Sequence, residues 1–202
     1  MTAPQGEHLL LIGSGNPGKQ REWRELLAGL DAVLVVPEDL DPIPAEPEEL
    51  GTTFEENATS KARAYAVASG LRTIADDSGL EVDALHGAPG LRSRRFFGED
   101  ASAEERNRRL LAMLEGVSAR GARFVCVAAL AMPDGRVETF EGEVRGEIAE
   151  APRGEGGFGY DPIFIVAGDG RTMAEVGADE KQSLSHRGLA AAKVRARLAE
   201  PR

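Results

Sequence analysis

The stretch LLLIGSGNPGKQ, residues 9–20, joins a short apolar run to a glycine-rich turn and to the start of a segment with helical spacing. The apolar run predicts a buried strand, and Pro17 suits the first turn of the following helix, where no backbone N–H is needed. The turn matches the P-loop pattern of phosphate-binding proteins up to its last position, where Gln20 replaces the Ser or Thr that holds Mg²⁺. The stretch therefore predicts a strand–turn–helix unit that binds phosphate, either as an altered P-loop or as a different phosphate-binding turn.

Strand and helix patterns alternate along the rest of the chain, which predicts an α/β fold with a mixed sheet. The helical pattern after the first turn includes Trp23, interpreted as a core residue with no cofactor role. Further on, we expect a strand at 32–36 and then a helix that is capped by Thr52 or Thr53 and ends near Gly70. Residues 72–85 are predicted to form a strand, an acidic turn and a second strand, and Ser102 is predicted to cap the next helix. The remaining expected elements are a hairpin around PDG at 133–135, a strand at 163–166, a polar turn at 178–188 and a final helix at 189–199.

Composition limits the possible classes of function. The chain has 202 residues, of which 42% are hydrophobic, and it fits one domain with two lobes over residues 1–202. A formal charge of −10 argues against nucleic acid as a partner, because nucleic-acid binding depends on clustered Lys and Arg. The single cysteine, Cys126, lies in an apolar run and fits a reducing compartment. No signal peptide or membrane-spanning run is apparent, so we expect a cytoplasmic protein without a membrane partner.

Two acidic residues and the first turn could together bind a phosphorylated ligand. Residues 14–19 offer backbone donors at a helix N-terminus and the charge of Lys19. Asp76 and Asp77 follow an apolar strand pattern, and a divalent cation or a lysine would offset the cost of burying both carboxylates. The alternative is a solvated acidic turn, since Asp-Asp-Ser-Gly is also typical of turns.

Two later segments could form a pocket for a base. In GEGGFGYDP, Phe158 and Tyr160 lie among four glycines, where their rings could stack on a base and Asp161 could contact its edge. The alternative is a structural loop held in place by its aromatic residues. The segment KQSLSHRG adds three potential donors, Lys181, His186 and Arg187.

Taken together, five segments resemble the inosine/xanthosine triphosphate pyrophosphatase family. They are SGNPGK, TFEENATSKA, ADDSGLEVDALHGAPGLRSRRFFGE, GGFGYDPIF and SHRGLA, in this order, and the resemblance runs from about residue 9 to residue 198. It implies a two-lobed α/β fold built on a long, bent mixed sheet flanked by helices, with a nucleotide cleft between the lobes. It also implies a homodimer that uses Mg²⁺ to hydrolyse ITP, dITP and XTP to the monophosphate and pyrophosphate. The P-loop match would then be coincidental.

The resemblance assigns roles to individual residues. Asp77 would accept a proton and bind the metal, and Lys61 would lie near Asp76 and Asp77 and offset their charge, which makes these three the catalytic candidates. The second metal ligand would be Glu48 or Glu49, with Glu56 in reserve. The residues expected to bind substrate are Ser14, Gly15, Asn16, Pro17, Gly18, Lys19, Ser78, Phe158, Gly159, Tyr160, Asp161, Lys181, His186 and Arg187.

Three other functions compete with this interpretation. A P-loop NTPase or kinase would release orthophosphate or transfer the γ-phosphate, and Gln20 argues against it. A nucleotide-binding module without turnover would leave Asp76, Asp77 and Lys61 with no role. Pyrophosphatases of the Maf type share the fold and prefer other bases, and the SHR and GGFGYDP segments favour the purine branch.

Overall fold

The computed structural model describes residues 9–200 and has one mixed β-sheet flanked by helices. The six strands are β1 (Leu9–Ile12), β2 (Val33–Val35), β3 (Arg72–Val82), β4 (Gly121–Ala131), β5 (Val137–Ile148) and β6 (Phe164–Val166). The five α-helices are α1 (Pro17–Leu26), α2 (Phe54–Ser69), α3 (Ala103–Met113), α4 (Ala178–Leu184) and α5 (His186–Ala199). The strand order is β2-β1-β3-β4-β5-β6, with β1 parallel to both of its neighbours and β5 antiparallel to β6. The predicted α/β fold with a mixed sheet is confirmed.

The chain forms two compact units. Among the described residues, the first contains 9–77, 127–141 and 190–200, and the second contains Ser78–Cys126 and Gly142–Leu189. The strands β3, β4 and β5 each contribute residues to both units. Asp77 and Ser78, adjacent in β3, therefore belong to different units.

The first unit packs small side chains between α2 and the sheet. Ala58, Ala62 and Ala66 recur every four residues on one face of α2, where they form a cluster with alanines of β3 and β4. Alanine at these positions lets the helix lie close to the strands. The second unit has a larger core of aromatic and branched residues: Leu80, Val82, Leu110, Leu114, Phe124, Val144, Ile148, Tyr160, Ile163, Phe164, Val166, Met173 and Val176.

The predicted start of α2 is confirmed in detail. Thr53 is the N-cap, and its hydroxyl accepts a hydrogen bond of 3.1 Å from the backbone N–H of Glu56. The Glu56 carboxylate in turn accepts hydrogen bonds from the backbone and the hydroxyl of Thr52. The helix ends at Gly70, whose φ of 69° is the left-handed conformation that glycine adopts without steric cost.

The prediction of an acidic turn within 72–85 was wrong. The structure has one continuous strand, β3, which carries both Asp76 and Asp77 in its interior. Both aspartates are buried, at 1% and 4% exposure. The turn-like sequence remains extended because the carboxylates have buried partners in α1 and α2, described below.

The polar turn expected at 178–188 was also wrong. Residues 178–184 form α4, and α5 begins at His186 rather than at Leu189. The short α4 is polar because most of its side chains are exposed, while Lys181 faces inward. The hairpin around PDG, by contrast, is confirmed, with Met132 donating its backbone N–H to the Arg136 carbonyl at 2.8 Å. Among residues 9–200, no helix combines the length and apolar character that crossing a bilayer requires.

Candidate active site

The glycine-rich turn before α1 is held in shape by its own side chains. Asn16 caps α1 by accepting hydrogen bonds from the backbone N–H groups of Gly18 at 2.9 Å and Lys19 at 3.3 Å. Gln20, at the position where a P-loop has Ser or Thr, donates to the Ser14 carbonyl at 2.6 Å. Its amide also donates to Glu38 at 3.0 Å. The Gln20 side chain therefore stabilises the turn through these hydrogen bonds.

An anionic group already lies against this turn. A Cβ atom placed on Gly15 would be 2.6 Å from Oε2 of Glu46, so the carboxylate packs directly against the bare Cα. A side chain at position 15 would block this approach. The absence of a side chain at Gly15 thus lets a carboxylate approach the turn closely.

Asp76 lies at the centre of a buried polar cluster. Its Oδ1 accepts a hydrogen bond of 2.8 Å from Nε1 of Trp23, and its Oδ2 pairs with Nζ of Lys19 at 3.1 Å. Lys19 also donates to the Asp76 backbone carbonyl at 3.2 Å. Trp23 is buried, as its predicted place in the core requires, but no local pattern indicated its contact with Asp76.

Asp77 points to the other face of β3, toward α2, as alternation along a strand requires. Its Oδ2 accepts a hydrogen bond of 2.9 Å from the amide of Asn57. Burial raises the pKa of the Asp77 carboxyl, and the charge of Glu49 raises it further, while Lys19, Asn57 and Lys61 oppose the shift. A carboxyl with a raised pKa beside cations fits a proton acceptor.

Lys61 of α2 contacts both β3 and Glu49, which lies in the segment between β2 and α2. Its ammonium contacts the carboxylate of Glu49 and donates to the Asp76 carbonyl at 3.3 Å. Burial alone would lower the pKa of Lys61, but Glu49 together with Asp76 and Asp77 raises it. Lys61 thus stays charged at neutral pH and lies near both aspartates.

The three glutamates considered as metal ligands lie in different surroundings. Glu49 is half-buried and interacts electrostatically with Asp77, whereas Glu48 is exposed. Glu56 is exposed and is engaged in the cap of α2. Residues 9–200 contain no group of three or more His, Cys, Asp or Glu side chains arranged to hold a metal. Because Mg²⁺ is usually held by one or two carboxylates plus substrate phosphates, the pair Asp77 and Glu49 fits this ion by its donor chemistry.

A second group of predicted residues lies in the second unit, around Phe158. Lys181 and Arg187 place their cationic groups 5.5 and 5.7 Å from the centre of its ring. Asp161 pairs with Lys181 at 2.7 Å and accepts a hydrogen bond of 2.8 Å from the Phe158 backbone N–H. Asp161 is 3% exposed, so its carboxylate shapes the loop from within. Its contact with the edge of a base stays a prediction.

The donors at the start of α5 are buried as well. Arg187, 1% exposed, donates to the hydroxyl of Ser78 at 2.8 Å. His186 stacks on Phe124, with ring centres 4.7 Å apart. Both side chains thus have specific partners within the second unit.

The structure places Tyr160 in the core of the second unit. Its ring belongs to the hydrophobic cluster there, and its hydroxyl donates to the Ser93 carbonyl at 2.9 Å. Phe158 of the same loop is only partly buried. The stacking of either ring on a base stays a prediction.

Sequence reasoning missed two asparagines that support the predicted residues. Asn57 contacts Asp77, and Asn107 of α3 donates to the Gly159 carbonyl at 3.1 Å. Asn57 lies inside the TFEENATSKA segment, so that motif was a usable signal. Asn107 lies in a polar helix without a comparable signal.

An α/β fold with buried lysines and aspartates beside a glycine-rich turn is typical of enzymes that act on phosphorylated substrates. Within this class, a family model for the Ham1 family matches residues 10–197, and the chain belongs to that family.

The chain is 50% identical to a dITP/XTP pyrophosphatase of Deinococcus deserti, over 93% of this chain and 88% of the relative. It is 51% identical to a dITP/XTP pyrophosphatase of Thermus thermophilus, over 90% of this chain and 87% of the relative. Among solved structures, a HAM1 protein from Coxiella burnetii superposes with a TM-score of 0.86 at 41% identity, covering 96% of this chain and 99% of that one.

Proposed function

We propose that this protein hydrolyses non-canonical purine nucleoside triphosphates, namely ITP, dITP and XTP, to the nucleoside monophosphate and pyrophosphate. The observation that carries the proposal is the buried cluster in which Lys19, Lys61 and Glu49 surround the aspartates of β3, next to the turn before α1. Relatives of about 50% identity that carry the name dITP/XTP pyrophosphatase support the choice of substrate.

In the proposed reaction, the turn at 14–19 and Lys19 bind the triphosphate. Asp77 accepts a proton from a water molecule whose oxygen attacks the α-phosphorus. The bond from the α-phosphorus to the bridging oxygen breaks, and the electron pair leaves with pyrophosphate. Lys19 and Lys61 stabilise the negative charge on the departing group. Asp77 and Glu49 would hold Mg²⁺, which when bound would supply further positive charge for the transition state.

Selection of the base is proposed to depend on the group around Phe158. Its ring is a stacking surface, and Lys181 and Arg187 are donors within 6 Å of the ring centre. Hypoxanthine and xanthine have an oxygen acceptor at the 6-position, where adenine has an amino donor. A pocket that presents donors at this position disfavours adenine, because a donor would then face a donor.

We also propose that the enzyme is a homodimer and acts in the cytoplasm, on the nucleotide pool. Light scattering tests the dimer: a mass of two chains is expected, and a mass of one chain would contradict it.

A substrate panel tests the proposed function. The protein is incubated with ITP, dITP, XTP, ATP, GTP and UTP in the presence of Mg²⁺, and the products are separated by ion-exchange chromatography. Pyrophosphate and the monophosphate are expected from ITP, dITP and XTP, with much slower turnover of ATP. Release of orthophosphate would favour an NTPase of the P-loop type, and binding without turnover would favour a non-catalytic module. A preference for UTP would favour the Maf-type branch.

A further inference from the structure

Two residues of α1 hold the two oxygens of one buried carboxylate. Lys19 and Trp23 are four residues apart, so they share a face of the helix. Trp23 Nε1 donates to Oδ1 of Asp76 at 2.8 Å, and Lys19 Nζ pairs with Oδ2 at 3.1 Å. The Asp76 side chain is fully buried, and that of Lys19 is 13% exposed. The indole N–H therefore fixes the orientation of the carboxylate that Lys19 faces.

We propose that Trp23 is a positioning residue, which acts through Asp76 to hold the ammonium of Lys19 at the phosphate-binding turn. The inference rests on the proposed function in one respect, namely that Lys19 binds phosphate groups. A long lysine side chain is flexible, and holding it in its binding position before the ligand arrives lowers the entropy cost of binding. Phenylalanine would keep an aromatic ring in this part of the core, but it cannot donate a hydrogen bond to Asp76.

The hydrogen bond from Trp23 to Asp76 can be tested without any nucleotide. The chain has a single tryptophan, so isotope-labelled protein gives one indole N–H signal in an NMR spectrum. A buried N–H bonded to a carboxylate is expected to exchange slowly with water. Exchange as fast as in a solvent-exposed indole would overturn the proposal.

The proposed effect of Trp23 on phosphate binding is tested with inorganic tripolyphosphate, whose binding is measured by calorimetry in the presence of Mg²⁺. Trp23→Phe keeps an aromatic ring and removes the donor, and it is expected to raise Kd about tenfold. Leu27→Val is the matched control, since Leu27 is buried at the C-cap of the same helix and its shortening perturbs only packing. This control is expected to lower the unfolding temperature and leave Kd unchanged.

A double-mutant cycle separates positioning from general destabilisation. If Trp23 acts through Lys19, then Trp23→Phe has no further effect on Kd in a Lys19→Gln background. An equal effect in both backgrounds, or an unchanged Kd in the single variant, would overturn the proposal. The experiment does not depend on turnover: a protein that binds tripolyphosphate and cleaves no purine triphosphate would refute the proposed function, while the cycle would still decide on Trp23.

Discussion

The amide of Asn57 donates a hydrogen bond of 2.9 Å to Oδ2 of Asp77, and both residues are buried in the first unit. This contact opposes the rise in the pKa of Asp77 that burial and Glu49 produce. Asn57 also accepts a hydrogen bond from the Gly51 backbone at 2.7 Å, so it joins the catalytic candidate to the loop before α2.

Replacement of Asn57 is expected to shift the pH dependence of activity. Asn57→Ala removes a donor to the charged form of Asp77, so the pKa of that carboxyl rises further. Because the proposed reaction needs the carboxylate, the acid limb of kcat/KM moves to higher pH. The loss at neutral pH should be smaller than the roughly 100- to 10,000-fold cost of removing a general base.

Asn57→Asp provides the matched comparison. It retains an acceptor for Gly51 and brings a second carboxylate toward Asp77, which raises the pKa of the pair more than alanine does. The acid limb is measured for the wild type and both variants. An acid limb at the same pH in all three would contradict a role for Asn57 in tuning Asp77.

The ion pair of Lys181 and Asp161 is expected to be important for stability. Their side chains are 11% and 5% exposed, so Lys181→Met removes a buried cation that lies 2.7 Å from the Asp161 carboxylate. Breaking a buried pair in this way costs about 3–5 kcal/mol. Urea denaturation followed by circular dichroism measures the change. The double variant with Asp161→Asn should recover part of the loss, and a strictly additive result would argue against coupling of the pair.

An exposed ion pair serves as the control for this measurement. Arg197 pairs with Glu138 at 2.7 Å, and both side chains are more than a third exposed. Such surface pairs contribute little to stability. Arg197→Met is therefore expected to leave the urea midpoint almost unchanged.

The two tyrosines should ionise late in the folded protein. Burial raises the pKa of Tyr65 and of Tyr160 from 10.0 to about 12. Between pH 10 and about 12, the folded state keeps the two phenolic protons that the unfolded state loses. The contribution of the two tyrosines to the free energy of unfolding is therefore fully present below pH 10 and falls as pH rises toward about 12. Ultraviolet absorbance of tyrosinate measures the ionisation of these two side chains, because the chain has no other tyrosines. Absorbance changes near pH 10 in the folded protein, as in the urea-unfolded control, would contradict the burial of both rings.

A methyl group on Gly15 is expected to weaken binding of the triphosphate more than it affects folding. The Cβ of Gly15→Ala would meet the end of the Glu46 side chain, which can move aside, but it would also cover the surface that phosphate must approach. KM should rise and the unfolding temperature should change little. Gly177→Ala is the control, because no atom lies within 4 Å of its Cβ position. Equal KM values for both variants would argue against phosphate binding at the turn.

Local signals in the sequence predicted most of the elements. The cap of α2 by Thr53, the stop at Gly70 and the hairpin at PDG are set by neighbouring residues, and the structure has all three. Interactions between distant residues could not be read in this way. The continuous strand β3 depends on Trp23, Lys19 and Asn57, which keep two adjacent aspartates buried where local sequence favours a turn.

The site was predictable as a set of segments but only partly as individual side chains. The acidic pair and the lysines of two separate motifs do come together in the first unit. Glycine spacing in GGFGYDP did not distinguish Phe158, which remains partly exposed, from Tyr160, whose ring enters the core. The Tyr160 ring packs in a cluster with residues of several strands and α3, and a single sequence does not encode such distant contacts in any local pattern.

The most direct test of the proposed chemistry is the position of oxygen transfer from water. Hydrolysis of dITP is carried out in water enriched in heavy oxygen, and the products are analysed by mass spectrometry. Attack at the α-phosphorus places the heavy oxygen in the monophosphate, and pyrophosphate remains unlabelled. The Asp77→Asn variant should bind dITP and form almost no product of either kind. Label in pyrophosphate, release of orthophosphate, or an almost fully active Asp77→Asn variant would contradict the account.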